Sequence, residues 1–327
     1  MTKNNTIRWG ILGAGKIARA FATDFQYLQQ AELVAVASRS PEKSAQFASA
    51  FSIPETCDYA GLYNHPQLDA IYIATPHNFH FEQAAQAMRA GKAVLCEKPV
   101  TVHPGQYQQL VALAKQQQVF LMEAMWTYFI PALAEAKNWV TEGRIGELKR
   151  IQADFCFPSG PEVERLWNPA LAGGSLLDIG IYPIAFANYF MHQKPQRIQA
   201  SARLSSTGVD ECTGIHLEYS GTSANLYSSI VSKGTNTGYL FGSNGYIKLP
   251  SFWRSTAIEL YNNEDELIDC FSDGRTTRGF HFEMQHVTDC LLQGLSESPV
   301  MSFEESMRIQ EIMWEVRQQI GLHFPLE

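Results

Sequence analysis

A chain of 327 residues exceeds the ~100 to 200 of one ordinary domain, so two domains or one large one are expected. Hydrophobic residues at 45% and charged residues at 18% exclude a disordered or collagen-like chain, and 25 basic against 33 acidic residues leave a net charge of −8 that repels phosphate backbones and anionic lipid. Nucleic-acid and membrane partners are accordingly not expected. No run approaches the ~18 uninterrupted apolar residues of a membrane span, and the start MTKNNTIRWGIL lacks a small-residue cleavage site, which points to a cytoplasmic protein. Cysteines at 57, 96, 156, 212, 270 and 290 form no C-x-x-C pair, so neither a zinc site nor a disulfide framework is expected.

The first 124 residues alternate short apolar runs with amphipathic stretches. IRWGIL (7–12), LVAVA (33–37), AIYIA (70–74), AVLCE (93–97) and VFLME (119–123) read as buried parallel strands. Between them lie helical patterns such as 80–90, closed by Gly91, and 104–118, opened at Pro104. Repeated strand and helix predict a parallel sheet with right-handed crossovers. After Glu123 a helix near 131–142 leads into RIQADFCF (150–157), where Ile151, Ala153, Phe155 and Phe157 share one face at period two. Strands follow at 197–205, 214–220, 223–232, 237–242, 245–249, 256–261 and 267–271, then helices at 279–293 and 303–319.

Residues 13–18 read G-A-G-K-I-A, directly after the first strand and opening a helix. Gly13 suits the tight turn, Gly15 leaves room for a pyrophosphate against the backbone, and Ala18 lets helix and strand approach; Lys16 and Ile17 start the helix whose N–H groups face the phosphates. The expected fold class is therefore α/β plus α+β. A Rossmann dinucleotide-binding domain occupies 1–124, and a substrate-binding and oligomerisation domain on a mostly antiparallel open sheet occupies 125–327. Helices on one face of that sheet leave the other bare, which predicts a homodimer through the C-terminal sheet. The second strand continues Ser38-Arg39-Ser40 with no acid for the ribose hydroxyls, while Arg39 offers a planar cation to a 2′-phosphate, so NADP is the better fit than NAD. A solvated Arg39 and a Ser40 that only caps the next helix are the bland alternatives.

Three further segments sit at strand ends or helix starts of the kind that face such a cofactor: TPHNFH (75–80), EKP (97–99) and GGSLLDIGIY (173–182). With G-x-G-x-x-A they make the chain resemble, over essentially its whole length, the glucose-fructose oxidoreductase, inositol dehydrogenase and rhizopine catabolism family, Gfo/Idh/MocA. The Asp-x-x-x-His of inositol dehydrogenases is replaced by Asp178-x-x-x-Tyr182. This and the stretches MEAMWTYFIPA (122–132) and SESPVMSFEES (296–306) look most like the dimeric dihydrodiol dehydrogenase and NADP-dependent D-xylose 1-dehydrogenase branch. Many sequences of that branch carry Arg where Tyr128 stands, so a substrate contact by that arginine does not carry over. The resemblance implies cofactor contacts by Thr75, Pro76, His77, His80, Glu97 and Lys98, and a catalytic group of Lys98, Tyr182 and Asp178.

The chemistry of that group stands on its own. A phenol titrating near ~10 is a poor base at neutral pH, but a neighbouring ammonium and an oxidised nicotinamide both favour its phenolate, so Tyr182 becomes usable and Lys98 stabilises developing oxyanion character. Asp178, one turn earlier, orients the site or binds a substrate hydroxyl. Surface Lys98, core Tyr182 and a helix-start Asp178 are the structural alternatives. Trp126, Phe155, Phe157 and Trp167 offer apolar walls for a pyranose or an aromatic diol, although aromatics at strand spacing are usually core; His281 and Glu283 are weaker cleft candidates. No third ligand joins His77 and His80 in a metal site. The expected activity is NADP-dependent hydride transfer at a carbinol carbon of a cyclic sugar or vicinal diol. A reductase of aldoses, anhydro-sugars or dicarbonyls, and a non-catalytic NADP-binding regulator, are the alternatives.

Overall fold

The computed structural model describes residues 6–325, which fall into two compact units. One comprises the chain up to Thr101, Gly105–Trp126 and Thr277–Ser306; the other comprises Val102–Pro104, Thr127–Thr276 and the chain from Met307.

In the first unit the apolar runs become β1 (Ile7–Leu12), β2 (Ala31–Ala37), β3 (Glu55–Cys57), β4 (Ala70–Ile73), β5 (Ala93–Glu97) and β6 (Leu121–Ala124), joined by α1 (Lys16–Asp24), α2 (Pro41–Phe51), α3 (Tyr59–Tyr63), α4 (His80–Arg89) and α5 (Pro104–Gln117). All pairs are parallel, in the order β3-β2-β1-β4-β5-β6. The centre of the sheet is covered on both faces, which is why β4 and β5 are apolar throughout rather than alternating. Phe21 of α1 stacks on Tyr72 of β4 at 3.7 Å and lies 6.0 Å from Trp9 of β1. The winding reverses between β1 and β4, and a crevice opens there at the carboxyl ends of the strands.

The second unit contains α6 (Pro131–Thr141), β7 (Leu148–Cys156), α7 (Glu164–Trp167), a π-helical turn (Leu176–Gly180) running into α8 (Ile181–Met191), then β8 (Arg197–Leu204), β9 (Asp210–Glu218), β10 (Ser223–Ser229), β11 (Thr237–Gly242), β12 (Gly245–Pro250), β13 (Ala257–Asn262) and β14 (Leu267–Ser272). These strands form one sheet in the order β14-β13-β12-β11-β7-β10-β9-β8, antiparallel throughout except for β7 with β10. Period-two alternation buries Ile151, Ala153, Ile215, Leu226, Leu240 and Leu260 on one face and leaves Gln152, Asn225 and Tyr227 exposed on the other. The stretch Pro169–Met191 is long and apolar enough to cross a membrane, with mean hydropathy 1.5 over a window that is 89% buried, and here it is a core helix.

Two helices close the chain, α9 (Phe280–Leu292) and α10 (Phe303–Ile320). The sequence boundary groups 125–327 together, whereas Thr277–Ser306 belongs to the first unit. The physical tie is Asp24 at the end of α1, whose buried carboxylate accepts from the N–H groups of Gly279 (2.9 Å) and Phe280 (3.0 Å) and so caps α9 from across the unit.

Candidate active site

The loop after β1 divides its work between two glycines. Gly13 has φ +109°, and a Cβ there would lie 2.5 Å from the Ala74 carbonyl oxygen, so only glycine fits between β1 and the end of β4. Gly15 has ordinary extended backbone, and a Cβ would meet nothing within 4 Å. No side chain caps α1, whose first turn, with exposed Lys16 and half-buried Ile17, presents unsatisfied N–H groups and the positive end of the helix dipole. An uncapped helix start beside a residue without a side chain fits the pyrophosphate of a dinucleotide.

After β2, Ser38 Oγ donates to the Ser40 carbonyl and bonds Ser44 Oγ, both at 2.8 Å. Ser40 accepts from the Lys43 N–H at 3.2 Å, so it does cap α2, and donates to Glu42 at 2.7 Å. Arg39 is exposed, its guanidinium 5.9 Å from the centre of the Phe79 ring. After β4, Thr75 Oγ1 donates to Gln83 at 2.5 Å, and Pro76 leads into a short turn, His77–Phe79. His77 is half-buried, 5.8 Å ring to ring from His80.

His80 is wholly buried, with Nδ1 and Nε2 each 2.8 Å from a carbonyl oxygen, those of Pro99 and Thr75. Burial holds its pKa below the ordinary histidine value, and a neutral ring donates to only one of the two. The ring thus ties the β4 and β5 loops together and turns no nitrogen outward. Glu97 ends β5 buried and accepts from the Tyr72 hydroxyl; Lys98, which follows, is 9% exposed. Glu283 of α9 is fully buried, neither oxygen having a hydrogen-bond partner among the described residues. Burial first, and the charge of Glu97 second, push its carboxyl well above the ordinary range. His281 bonds Thr277 at 3.2 Å and lies 3.8 Å from Asp24.

In the second unit Asp178 lies in the π turn and Tyr182 in the first turn of α8, 7% exposed. The Tyr182 ring is 5.5 Å from Phe155, which stacks on Trp253 at 3.8 Å and lies 6.2 Å from Phe157. Phe155, Phe157 and Trp167 are half-buried against Leu166, Ile179 and Ile230, and the Trp167 indole N–H is buried with no acceptor among the described residues. Trp126 belongs to the first unit, stacked on Phe280 at 4.4 Å. Tyr128 is interior: its hydroxyl donates to the Ala185 carbonyl at 3.0 Å and accepts from Asn188 at 3.1 Å, bracing α8.

Sequence reasoning missed two groups. Arg165 of α7 donates to Asp178 at 2.5 Å, the guanidinium side chain 54% exposed and the carboxylate 10%. Asp210 of β9 is fully buried; burial pushes its carboxyl up to about 6 against hydrogen bonds from Ser175, Thr213 and the Leu176 N–H that pull it down. An exposed arginine and a lone aspartate at a turn carry no sequence signal of these roles. A shallow depression of about 560 Å³ on the outer face of the second sheet, lined by residues such as Gln152, His216 and Tyr227, lies opposite the face that carries Tyr182 and is not this site. Among the described residues no group of three or more His, Cys, Asp or Glu could hold a metal ion.

Residues 7–125 match the model of an oxidoreductase family with an NAD-binding Rossmann fold, and residues 133–248 match the GFO/IDH/MocA C-terminal domain. The chain is 37% identical over 328 residues to trans-1,2-dihydrobenzene-1,2-diol dehydrogenase of Mus musculus, covering 98% of each chain. It is 37% identical over 331 residues to the Xenopus laevis protein of that name, covering 97% of this chain and 99% of the other. Among solved structures, a 3-ketoreductase from Actinomadura kijaniata in complex with NADP and TDP-benzene superposes with a TM-score of 0.87 at 27% identity, over 97% of this chain and 98% of that one.

Proposed function

The chain belongs to the Gfo/Idh/MocA family of oxidoreductases, dehydrogenases and reductases acting on CH–OH groups, and from that premise we propose NADP-dependent hydride transfer at a carbinol carbon of a cyclic sugar or vicinal diol, with Lys98 and Tyr182 as the acid–base pair. The observation that carries the reading is the uncapped start of α1 beside Gly15, with Arg39 at the end of the neighbouring strand for a 2′-phosphate. Bound NADP supplies the hydride acceptor at its nicotinamide ring. Tyr182 takes the proton of the substrate hydroxyl as the C–H hydride departs. Lys98 donates a hydrogen bond to the same oxygen and offsets the negative charge that develops there. The Arg165–Asp178 pair fixes a carboxylate one turn before Tyr182, where it accepts from a second substrate hydroxyl. Phe155, Phe157 and Trp167 take the flat apolar face of the ring.

The 3-ketoreductase neighbour favours a second reading, the reverse direction, in which Tyr182 returns a proton to a carbonyl oxygen as hydride arrives. The test is a turnover screen of monosaccharides, cyclic diols and dicarbonyls with both nicotinamide cofactors, followed by absorbance. Tyr182→Phe and Lys98→Met should each slow the best substrate by ~10²- to 10⁴-fold while leaving NADPH binding nearly intact. A Tyr182→Phe enzyme at the wild-type rate removes tyrosine from the mechanism. A second copy of the chain covers the bare outer face of the second sheet, whose row of Tyr227, Tyr239, Phe241, Tyr246 and Tyr261 has the aromatic character of an interface core. Light scattering at micromolar concentration should give about twice 36.6 kDa; a persistent monomer sinks that assembly.

A further inference from the structure

The structure assigns Asp210 as a positioning residue for Tyr182, holding the start of its helix against the second sheet; the inference rests on the reading of Tyr182 as the proton acceptor. That helix begins as a π turn, whose first N–H groups have no intrahelical partner, and no side chain of Ser175 caps it. Asp210, the first residue of β9, does so from outside. Its Oδ2 accepts from the Leu176 N–H at 2.8 Å, from Ser175 Oγ at 2.7 Å and from Thr213 Oγ1 at 2.7 Å. Ser175 Oγ also lies 3.0 Å from Ser228 Oγ of β10. One oxygen therefore joins the first residue of the helix to β9, and through Ser175 to β10.

The other oxygen sets the approach of the chain. Gly174 has φ +107°, and a Cβ there would stand 2.1 Å from Asp210 Oδ1, so the glycine is what allows carboxylate and helix start to meet. A buried negative group at a helix N-terminus is also favoured by the helix dipole. The π turn matters because it holds an extra residue per turn; relaxation to α geometry would rotate everything beyond it by about 100°. Asp178 lies within that turn and Tyr182 just after it, so the anchor at 175–176 decides the direction in which both side chains point.

The experiment compares Asp210→Ala, the isosteric Asp210→Asn and Tyr182→Phe, singly and combined, using single-turnover hydride transfer at saturating NADPH or NADP and a fluorescence titration for NADPH affinity. Asp210→Ala should slow the step by about 10- to 100-fold, the cost of a displacement near 1 Å, with NADPH affinity within about twofold of wild type. Asp210→Asn should recover part of the rate, because its amide oxygen still accepts from Leu176, and it keeps the test open if the alanine variant does not fold. In the Tyr182→Phe background either change should cost several-fold less than in the wild-type background, since the proton-accepting group being positioned is gone and only the part that acts through Asp178 remains. Equal losses in both backgrounds, or Asp210 variants at the wild-type rate while Tyr182→Phe is slow, overturn the inference alone. A Tyr182→Phe enzyme at the wild-type rate overturns the reading beneath it.

Discussion

Replacing Gly15 by alanine adds a methyl group where nothing lies within 4 Å, on a backbone at φ −86° that any residue adopts. The unliganded fold should be unchanged or stabilised by up to about 1 kcal/mol, through the smaller entropy of the unfolded chain. Gly13→Ala, two residues earlier, meets φ +109° and the Ala74 carbonyl oxygen at 2.5 Å. Left-handed strain and overpacking, at about 1–3 kcal/mol each, put its cost at about 2–6 kcal/mol and its melting temperature about 5 to 20 °C lower. Cofactor binding divides the other way. The Gly15→Ala methyl occupies the place proposed for the pyrophosphate, and losing charge-assisted contacts of about 1.5–3 kcal/mol should weaken NADPH about 10- to 150-fold in a protein that melts normally. Calorimetry on both variants and a fluorescence titration of the folded fraction make the comparison. A Gly15→Ala protein that binds NADPH like wild type, or that melts as early as Gly13→Ala, refutes the assignment of this loop.

Arg39→Ala should cut the preference for NADP over NAD about 5- to 150-fold, measured as the ratio of the two dissociation constants; unchanged discrimination assigns the 2′-phosphate elsewhere. Arg165→Ala should lower kcat/KM by about 10- to 100-fold with little change in melting, and Arg165→Lys should restore only part, because the lysine point charge does not reproduce the guanidinium geometry at Asp178; full activity in the alanine variant would show the pair to be idle. Burial holds the Glu283 carboxyl well above the ordinary carboxylate range in the folded protein, while the unfolded chain titrates within that range, so its contribution to stability is present at acid pH and lost as pH rises toward the folded value. Glu283→Gln should therefore flatten the fall in melting temperature between pH 5 and 8 and melt above wild type at the alkaline end; a pH-independent difference between the two proteins contradicts this.

The parallel strands were readable because burial on both faces demands unbroken apolar runs, and expectation and structure agree to the residue at Ile7–Leu12 and Ala93–Glu97. The edge strand Glu55–Cys57 was not, being three residues long with little to bury. The π turn escaped because its geometry comes from Gly174, Asp210 and Ser228, which are scattered in sequence and meet only after the sheet forms. His80 was legible as a motif residue, but the two backbone carbonyls that its ring nitrogens meet, those of Pro99 and Thr75, were not, because they come from separate loops. Motif residues mark where a site lies more reliably than which of them touch the ligand, since the same spacing serves both the chemistry and the loops that present it.

The apolar stretch Pro169–Met191 leaves the ribosome before the strands that cover it, because β9 and β10 end only at Glu218 and Ser229. At about 5–20 residues per second, the 38 residues from Met191 to Ser229 take about 2 to 8 s, during which the most membrane-like part of the chain has only β7 of its own sheet to pack on. Asp178 is the one charged residue within it. At the centre of an inserting helix an aspartate costs about 2.5–3.5 kcal/mol on translocon scales, so the carboxylate proposed to hold a substrate hydroxyl also disfavours capture of the nascent segment by a bilayer.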